Sequence, residues 1–509
     1  MKRVAGNTLA LFASHFSTLF FTLIQAKIIA VWLGPIGFGI YASSVAAGAI
    51  FGALMELGLP FVLLRFIPLF EARGEREKSR DLVRFSLILS SFMAVVLIIP
   101  LIAFGGRLSS LFHESPLGLK IILLASTYVA FGVLRAIIYG AFNGLSRMTF
   151  PFVFEILFQG LVTLWIFVIR NRLDVMALFK VFITIGAIVV IVSLATLWLL
   201  FFRRKGERKL TMLGAASEVS SFWKGACLMT FIGLGLENSD RLVVGGFMSF
   251  QAVSLLHVAS RIMYFFKKLL FLPLLAVSPE ITRKWEKGNR EIRADLTLLM
   301  KIEFLLGFLV LCFVVLGNRA LVLLVTSKEF QGSEPLLLFM AFLVPLACLY
   351  SSVTTTLRAT GRIGLSVGSD LAWYVIYLFS GVLLIGRLGL WGMMISQAFA
   401  SICILFLNIR FARVYLEFSF ADICPGRLVL SAAPAFLCSA VLAEIFHPSN
   451  ILVLFAVTLP VLIIFNLGVA FGGIFDEAER GRIEELLTNR KLVGTIRFLL
   501  DWPKRVLRR

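Results

Sequence analysis

The sequence predicts an all-α membrane protein with fourteen spans, built as two parallel six-helix lobes and two extra C-terminal helices. Three observations carry this. The chain is 59% hydrophobic and 15% charged, with a mean hydropathy of +0.95. Its apolar residues gather in segments of about 20 residues or more, the length that crosses the hydrocarbon of a bilayer. Lys and Arg crowd the loops of one side and are sparse on the other, as the positive-inside rule requires.

The apolar segments lie near 8–30, 36–66, 82–104, 119–142, 150–170, 175–202, 221–248, 251–275, 297–325, 333–357, 365–386, 388–411, 427–446 and 450–473. Backbone groups in hydrocarbon have no water to bond, so each segment is expected to be helical. The first follows Lys2 and Arg3 with no small-residue cleavage site, which reads as a retained span. With the N-terminus in the cytoplasm, only Arg107, Lys120, Arg170, Arg172, Arg319, Lys328 and Arg387 fall on the opposite side. An even number of spans returns the C-terminus to the cytoplasm. There the basic tail 476–509 reads as an orientation signal against anionic lipid.

This distribution explains the net charge of +20 without a nucleic-acid partner. No outside loop is long enough to form a catalytic domain. The six cysteines (Cys227, Cys312, Cys348, Cys403, Cys424 and Cys438) show no CxxC spacing, so neither a zinc site nor a disulfide frame is expected. The histidines His15, His113, His257 and His447 are scattered. No phosphate-binding glycine loop, HExxH or serine elbow occurs.

The first half recurs in the second. Pro68 is followed by the charged stretch 71–82, and Pro279 by the charged stretch 282–296. Arg147 precedes Glu155 by eight residues, and Arg362 precedes Asp370 by eight. The offset is 215 for both of these pairs and 211 for the prolines. Six spans separate the copies, which preserves topology and implies lobes related by an axis along the membrane normal. The expected organisation is a lobe over 1–205, a loop over 206–218, a second lobe over 219–412, spans 13 and 14 over 413–475, and the tail over 476–509.

The segment KIIAVWLGPIGFGIY (27–41) and then ELGLPFVLLRFIP (56–68) resemble the start of a polysaccharide or oligosaccharide flippase of the O-antigen type. That family belongs to the multidrug/oligosaccharidyl-lipid/polysaccharide exporter superfamily. NSDRLVVGGF (238–247), SPEITRKWEKGN (278–289), LRATGRIG (357–364) and LGLWGMMIS (388–396) resemble its recurring pieces, so the resemblance covers nearly the whole chain. Many members carry Arg just before the Leu-Gly-Pro turn. Here Ala30 and Val31 stand there, and Lys27 lies a turn earlier.

The resemblance implies a V-shaped pair of lobes around a central cavity. It implies alternating access that carries an undecaprenyl- or dolichyl-pyrophosphate-linked oligosaccharide from the cytoplasmic to the outer leaflet of the inner (plasma) membrane. The two extra helices then help hold the lipid tail. Polysaccharide polymerase and glycosyltransferases are the protein partners such a role suggests.

Moving a charged head through hydrocarbon requires compensating cations, because an unpaired ion there costs many kcal/mol. Lys27, Arg65, Arg135, Arg241 and Arg261 fall in or near spans and are the candidate pyrophosphate ligands. Each also has a bland role, as a snorkelling side chain or an ion-pair partner. The buried acids are Glu56, Glu155, Glu237, Asp240, Glu303 and Asp370. Of these, Glu56, Glu155, Asp240 and Asp370 are candidates either for Na+ or H+ coupling or for structural pairing, and pairing is favoured. No cofactor or metal is expected. The rivals are a multidrug or organic-cation exporter, a peptidoglycan-precursor flippase of the same superfamily, and a membrane glycosyltransferase or polymerase. The excess of cations favours an anionic lipid head.

Overall fold

Gly34 divides the first long helix. The computed structural model describes residues 2–112, 117–202, 212–286, 292–477, 479 and 481. The first half of the inter-lobe loop (206–211), His113, part of the second charged stretch and nearly all of the basic tail lie outside these residues, as do the side chains of residues 1–16. Within α1 (Lys2–Glu56) Gly34 has φ 65° and ψ 179°, and Pro35 follows. A left-handed φ costs glycine little, and proline cannot donate to the helix ladder, so the break is local to this dipeptide.

A second break separates α1 from α2 (Leu59–Ala72), at Leu57 and Gly58 with φ 49° and 70°. The remaining helices are α3 (Arg76–Phe112), α4 (Leu117–Gly144), α5 (Thr149–Ile169), α6 (Val175–Leu197), α7 (Met212–Thr230), α8 (Ser239–Phe247), α9 (Phe250–Glu286) and α10 (Ile292–Val325). Then come α11 (Glu334–Phe342), α12 (Val344–Ala359), α13 (Ile363–Leu388), α14 (Leu390–Leu416), α15 (Pro425–Phe446) and α16 (Ile451–Phe471). The described residues contain no strand. Among them, eleven helices are long and apolar enough to cross a membrane, or twelve if Lys328–Phe342 and Val344–Ala359, bent by 46°, count as one crossing.

The repeat seen in the sequence extends to single hydrogen bonds. After α4 the Arg147 N–H donates to Phe142 O at 2.9 Å; after α12 the Arg362 N–H donates to Leu357 O at 2.8 Å. Ser146 donates to Asn143 O at 3.0 Å, and Gly361 to Arg358 O at 3.1 Å. Both Ser146 and Gly361 have positive φ, 57° and 79°. This is the left-handed close that satisfies the last helix carbonyls. Every one of these residues has its counterpart 215 positions on. The starts of α6 and α14, Val175 and Leu390, keep the same spacing. The counterpart of α4 is the bent pair α11–α12, where Pro345 takes the place of Ala130.

The chain packs as two units, Met1–His257 and Val258–Arg509, divided within α9. In the first, α4 packs against α1, α2, α3 and α6. Helix α7 docks onto α2 and α3 of the same unit. Trp223 Nε1 donates to Leu57 O at 2.7 Å, the Cys227 thiol donates to the same oxygen at 3.0 Å, and the Trp223 ring meets Phe85 edge-on at 5.7 Å. A Cβ on Gly58 would fall 2.3 Å from the Ala226 carbonyl carbon, so only glycine fits both the φ and the contact. By sequence α7 and α8 open the second copy, yet they pack in the first unit; repeat and packing divide the chain at different places.

In the second unit α10 packs against α11, α12, α15 and α16. Met300, Phe304, Leu349, Val353, Leu357 and Ala412 form the centre of its core. Large apolar side chains such as Val168, Phe379, Phe406 and Leu452 are exposed, as lipid-facing positions should be.

Candidate functional site

Helix α5 carries Glu155, Gln159 and Thr163 four residues apart, which aligns them on one face. The face meets α1 and α4. Gln25 of α1 donates from Nε2 to Gln159 Oε1 at 2.9 Å and to Thr163 Oγ1 at 3.1 Å. Gln159 Nε2 in turn donates to Glu155 Oε1 at 2.7 Å. The other carboxylate oxygen lies 3.6 Å from Arg135 Nε, an ion pair rather than a hydrogen bond. The Arg135 guanidinium covers the Phe158 ring at 3.7 Å. The result is a polar chain through three helices of the first unit, ending in a cation held by one carboxylate and one aromatic face.

Two of the predicted residues, Arg135 and Glu155, are thus brought together. The remaining candidates have other surroundings. Arg65 is exposed on α2 and stacks on Phe222 of α7 at 4.4 Å, with no carboxylate partner among the described residues. Lys27 is half-buried two residues beyond Gln25, a spacing that turns it away from the Gln25 face. Glu56 is half-buried at the last position of α1, beside the Leu57–Gly58 break. Asp240 accepts the Arg241 backbone N–H at 2.8 Å, while Arg241 Nη1 donates to Asn238 Oδ1. Arg241 Nε is buried and has no hydrogen-bond partner among the described residues.

In the second unit Arg261 Nε on α9 is likewise buried without a hydrogen-bond partner among the described residues. Asp370 accepts from Arg358, whose Nε donates to Ser366 Oγ at 2.7 Å. Arg362 stacks on Tyr415 at 4.4 Å.

The arrangement separates the cations by chemistry. Arg135 is neutralised locally, as is Arg358. Arg241 and Arg261 retain a buried donor that an anionic oxygen would satisfy, and no carboxylate among the described residues pairs with Arg65. Gln25, Gln159 and Thr163 carry no charge that would single them out in the sequence; the signal for Gln159 and Thr163 is their four-residue spacing from Glu155 along an apolar helix, and Gln25 has none. Among the described residues no group of three or more His, Cys, Asp or Glu could hold a metal ion.

A polysaccharide biosynthesis protein family matches residues 4–285, more than half of the chain. This chain belongs to that family. No curated protein sequence matches it. Among solved structures, the fold of this polysaccharide biosynthesis protein is similar to the lipid II flippase MurJ in an inward closed conformation. The TM-score is 0.70 at 15% identity, over 91% of this chain and 98% of that one. An inward-facing multidrug resistance MATE family transporter of the MOP superfamily gives 0.62 at 17% identity, over 81% and 98%. The Vibrio cholerae MATE transporter VcmN in its bent form gives 0.56 at 14%, over 82% and 98%. At these identities the likeness is one of fold, and the fold is that of membrane transporters.

Proposed function

We propose that this member of the polysaccharide biosynthesis family is a flippase. It moves a polyprenyl-pyrophosphate-linked oligosaccharide from the cytoplasmic to the outer leaflet by alternating access, supplying cell-surface polysaccharide synthesis. The observation that carries the reading is how far each fold likeness reaches. The flippase MurJ covers 91% of the chain and the MATE transporters 81–82%. The difference is about 50 residues, two crossings of the bilayer. A pair of helices beyond a twelve-span exporter suits a substrate with a long lipid tail.

Fourteen spans belong to this reading, against the eleven or twelve helices that are long and apolar enough among the described residues. The stretch Phe20–Ala72, 53 residues long, would be about 80 Å as one helix, against roughly 30 Å of hydrocarbon, so it holds two crossings broken at Gly34. Helix α9 is a further 37-residue helix. The lobes are then 1–205 and 219–412, the termini are cytoplasmic, and the protein resides in the inner membrane as multiple spans.

Lys27, Arg65 and Arg241 of the first unit and, separately, Arg261 of the second are the cations offered to the diphosphate, and Arg135 contributes if its ion pair with Glu155 opens. Glu56, Asp240 and Asp370 serve pairing or ion coupling. Lipid II itself is the second reading, favoured by the MurJ likeness.

The test is reconstitution in vesicles with fluorescent polyprenyl-pyrophosphate oligosaccharide, lipid II and an organic cation offered separately. Flipping of the first alone is expected, with Lys27→Ala and Arg135→Ala abolishing it while still inserting in the membrane. Transport of the cation alone overturns the reading, and transport of lipid II alone selects the second. Full complementation of a flippase-null strain by both variants removes Lys27 and Arg135 from the site.

A further inference from the structure

Helix α10 buries an acid, Glu303, that forms no ion pair among the described residues. Glu303 is 1% exposed, and among the described residues its carboxylate oxygens have no hydrogen-bond partner beyond the weak Cys348 thiol. Its neighbours on α10 are Phe304 and Leu305, part of the unit's apolar core. Gly307, one turn on, brings α10 so close to α12 that a Cβ there would lie 2.8 Å from Cys348 Sγ and 3.2 Å from Pro345 Cα. The Cys348 thiol, a weak donor, lies beside the carboxyl. Pro345 and Cys348 belong to the first turn and a half of α12, just past the 46° bend from α11.

Of the other ionisable groups packed on α10, Tyr350 of α12 lies within electrostatic range of Cys348 and Asp370, and Arg358 of α12 donates to Asp370. Lys301, two residues before Glu303, donates to Glu479 at 2.7 and 2.9 Å. Arg293 at the start of α10 holds Asp422, and Arg427 of α15 lines the same cavity as that pair. Cys438 of α15 lies within electrostatic range of Cys312, nine residues beyond Glu303, and Glu334 of α11 within range of Arg319. Helix α16 carries no ionisable residue. From α9, Lys267 is exposed and within electrostatic range of Cys348.

A bare carboxylate in such a place costs many kcal/mol, and no cation among the described residues pairs with it to offset that cost. An alkali ion would need several oxygen ligands, whereas the neighbour here is sulfur, a soft and weak one. The geometry points to Glu303 as a proton-binding site of the second unit, occupied in this conformation and exchanging its proton with water only when the contact between α10 and the bent α11–α12 pair opens. One carboxylate oxygen takes the proton from hydronium, an O–H bond forms, and water is released. Glu303 thereby becomes the acid through which this unit responds to pH; that consequence for transport rests on the flippase reading, and the site itself does not.

The deciding measurement is infrared spectroscopy of the purified full chain in lipid at neutral pH. A protonated carboxylic C=O band is expected, present in the wild type and missing from Glu303→Gln. No band, or the same band in the variant, overturns the assignment. Should Glu303→Gln not fold, Cys348→Ala takes its place: the band must shift when the thiol is removed, and an unmoved band overturns the assignment. In reconstituted flipping the wild-type rate is expected to vary with pH and the Glu303→Gln rate to stay flat. Equal profiles overturn the role in transport. Absence of any flipping in the wild type refutes the flippase reading instead and leaves the band to decide the site.

Discussion

Arg135 shows how much a single side chain depends on its partner. Its pair with Glu155 is nearly sealed, at 14% and 16% side-chain exposure. Removing one member of such a pair strands the other and costs about 3–5 kcal/mol. Arg135→Ala is therefore expected to lower the thermal midpoint in detergent, and adding Glu155→Gln should restore much of the loss; a single variant as stable as wild type would contradict the ion pair. Gly58 is constrained by backbone. Gly58→Ala combines a left-handed φ with an overlap against Ala226, and a loss of about 1–3 kcal/mol is expected. Arg65→Leu is the contrast, since an exposed cation–π contact contributes about 0.5–1 kcal/mol. Its unfolding midpoint should barely move while flipping falls.

At the scale of elements, the second unit is tied by a contact that no run of sequence announces. Lys301 of α10 meets Glu479, beyond the end of α16, and also donates to Ile474 O at 3.1 Å. Lys301→Met alone should destabilise the chain strongly. Lys301→Met with Glu479→Leu should recover, because an apolar replacement of a buried pair is often neutral. Thermal midpoints of the two variants check this, and a double variant no better than the single would refute it. The docking of α7 through Trp223 and Cys227 onto the Leu57 carbonyl is of the same kind. The turn after α4 and α12 is the opposite case. Its spacing was visible as Arg147–Glu155 and Arg362–Asp370, because a left-handed helix close is set by a few adjacent residues.

At the scale of the molecule, orientation can be checked through the cysteines. Cys424 is exposed at the start of α15, whereas Cys312 and Cys348 are buried. With cytoplasmic termini, a membrane-impermeant maleimide should label Cys424 in inside-out vesicles and spare it in right-side-out ones, and Cys424→Ser should remove that signal. Labelling from the other face would invert the assigned topology.

The sequence by itself determined the membrane class, the helical segments, the 215-residue repeat and the family likeness. These follow from hydropathy, loop charge and turn chemistry, which are properties of neighbouring residues. Tertiary structure decided which charges are spent and which are left. Gln25 and Gln159 are 134 positions apart, Lys301 and Glu479 are 178 apart, and nothing local couples them. For the same reason the sequence could group Glu303 with the other buried acids but could not see that its oxygens would be left over. A charge's partner is chosen by packing, and packing is settled only when distant helices meet.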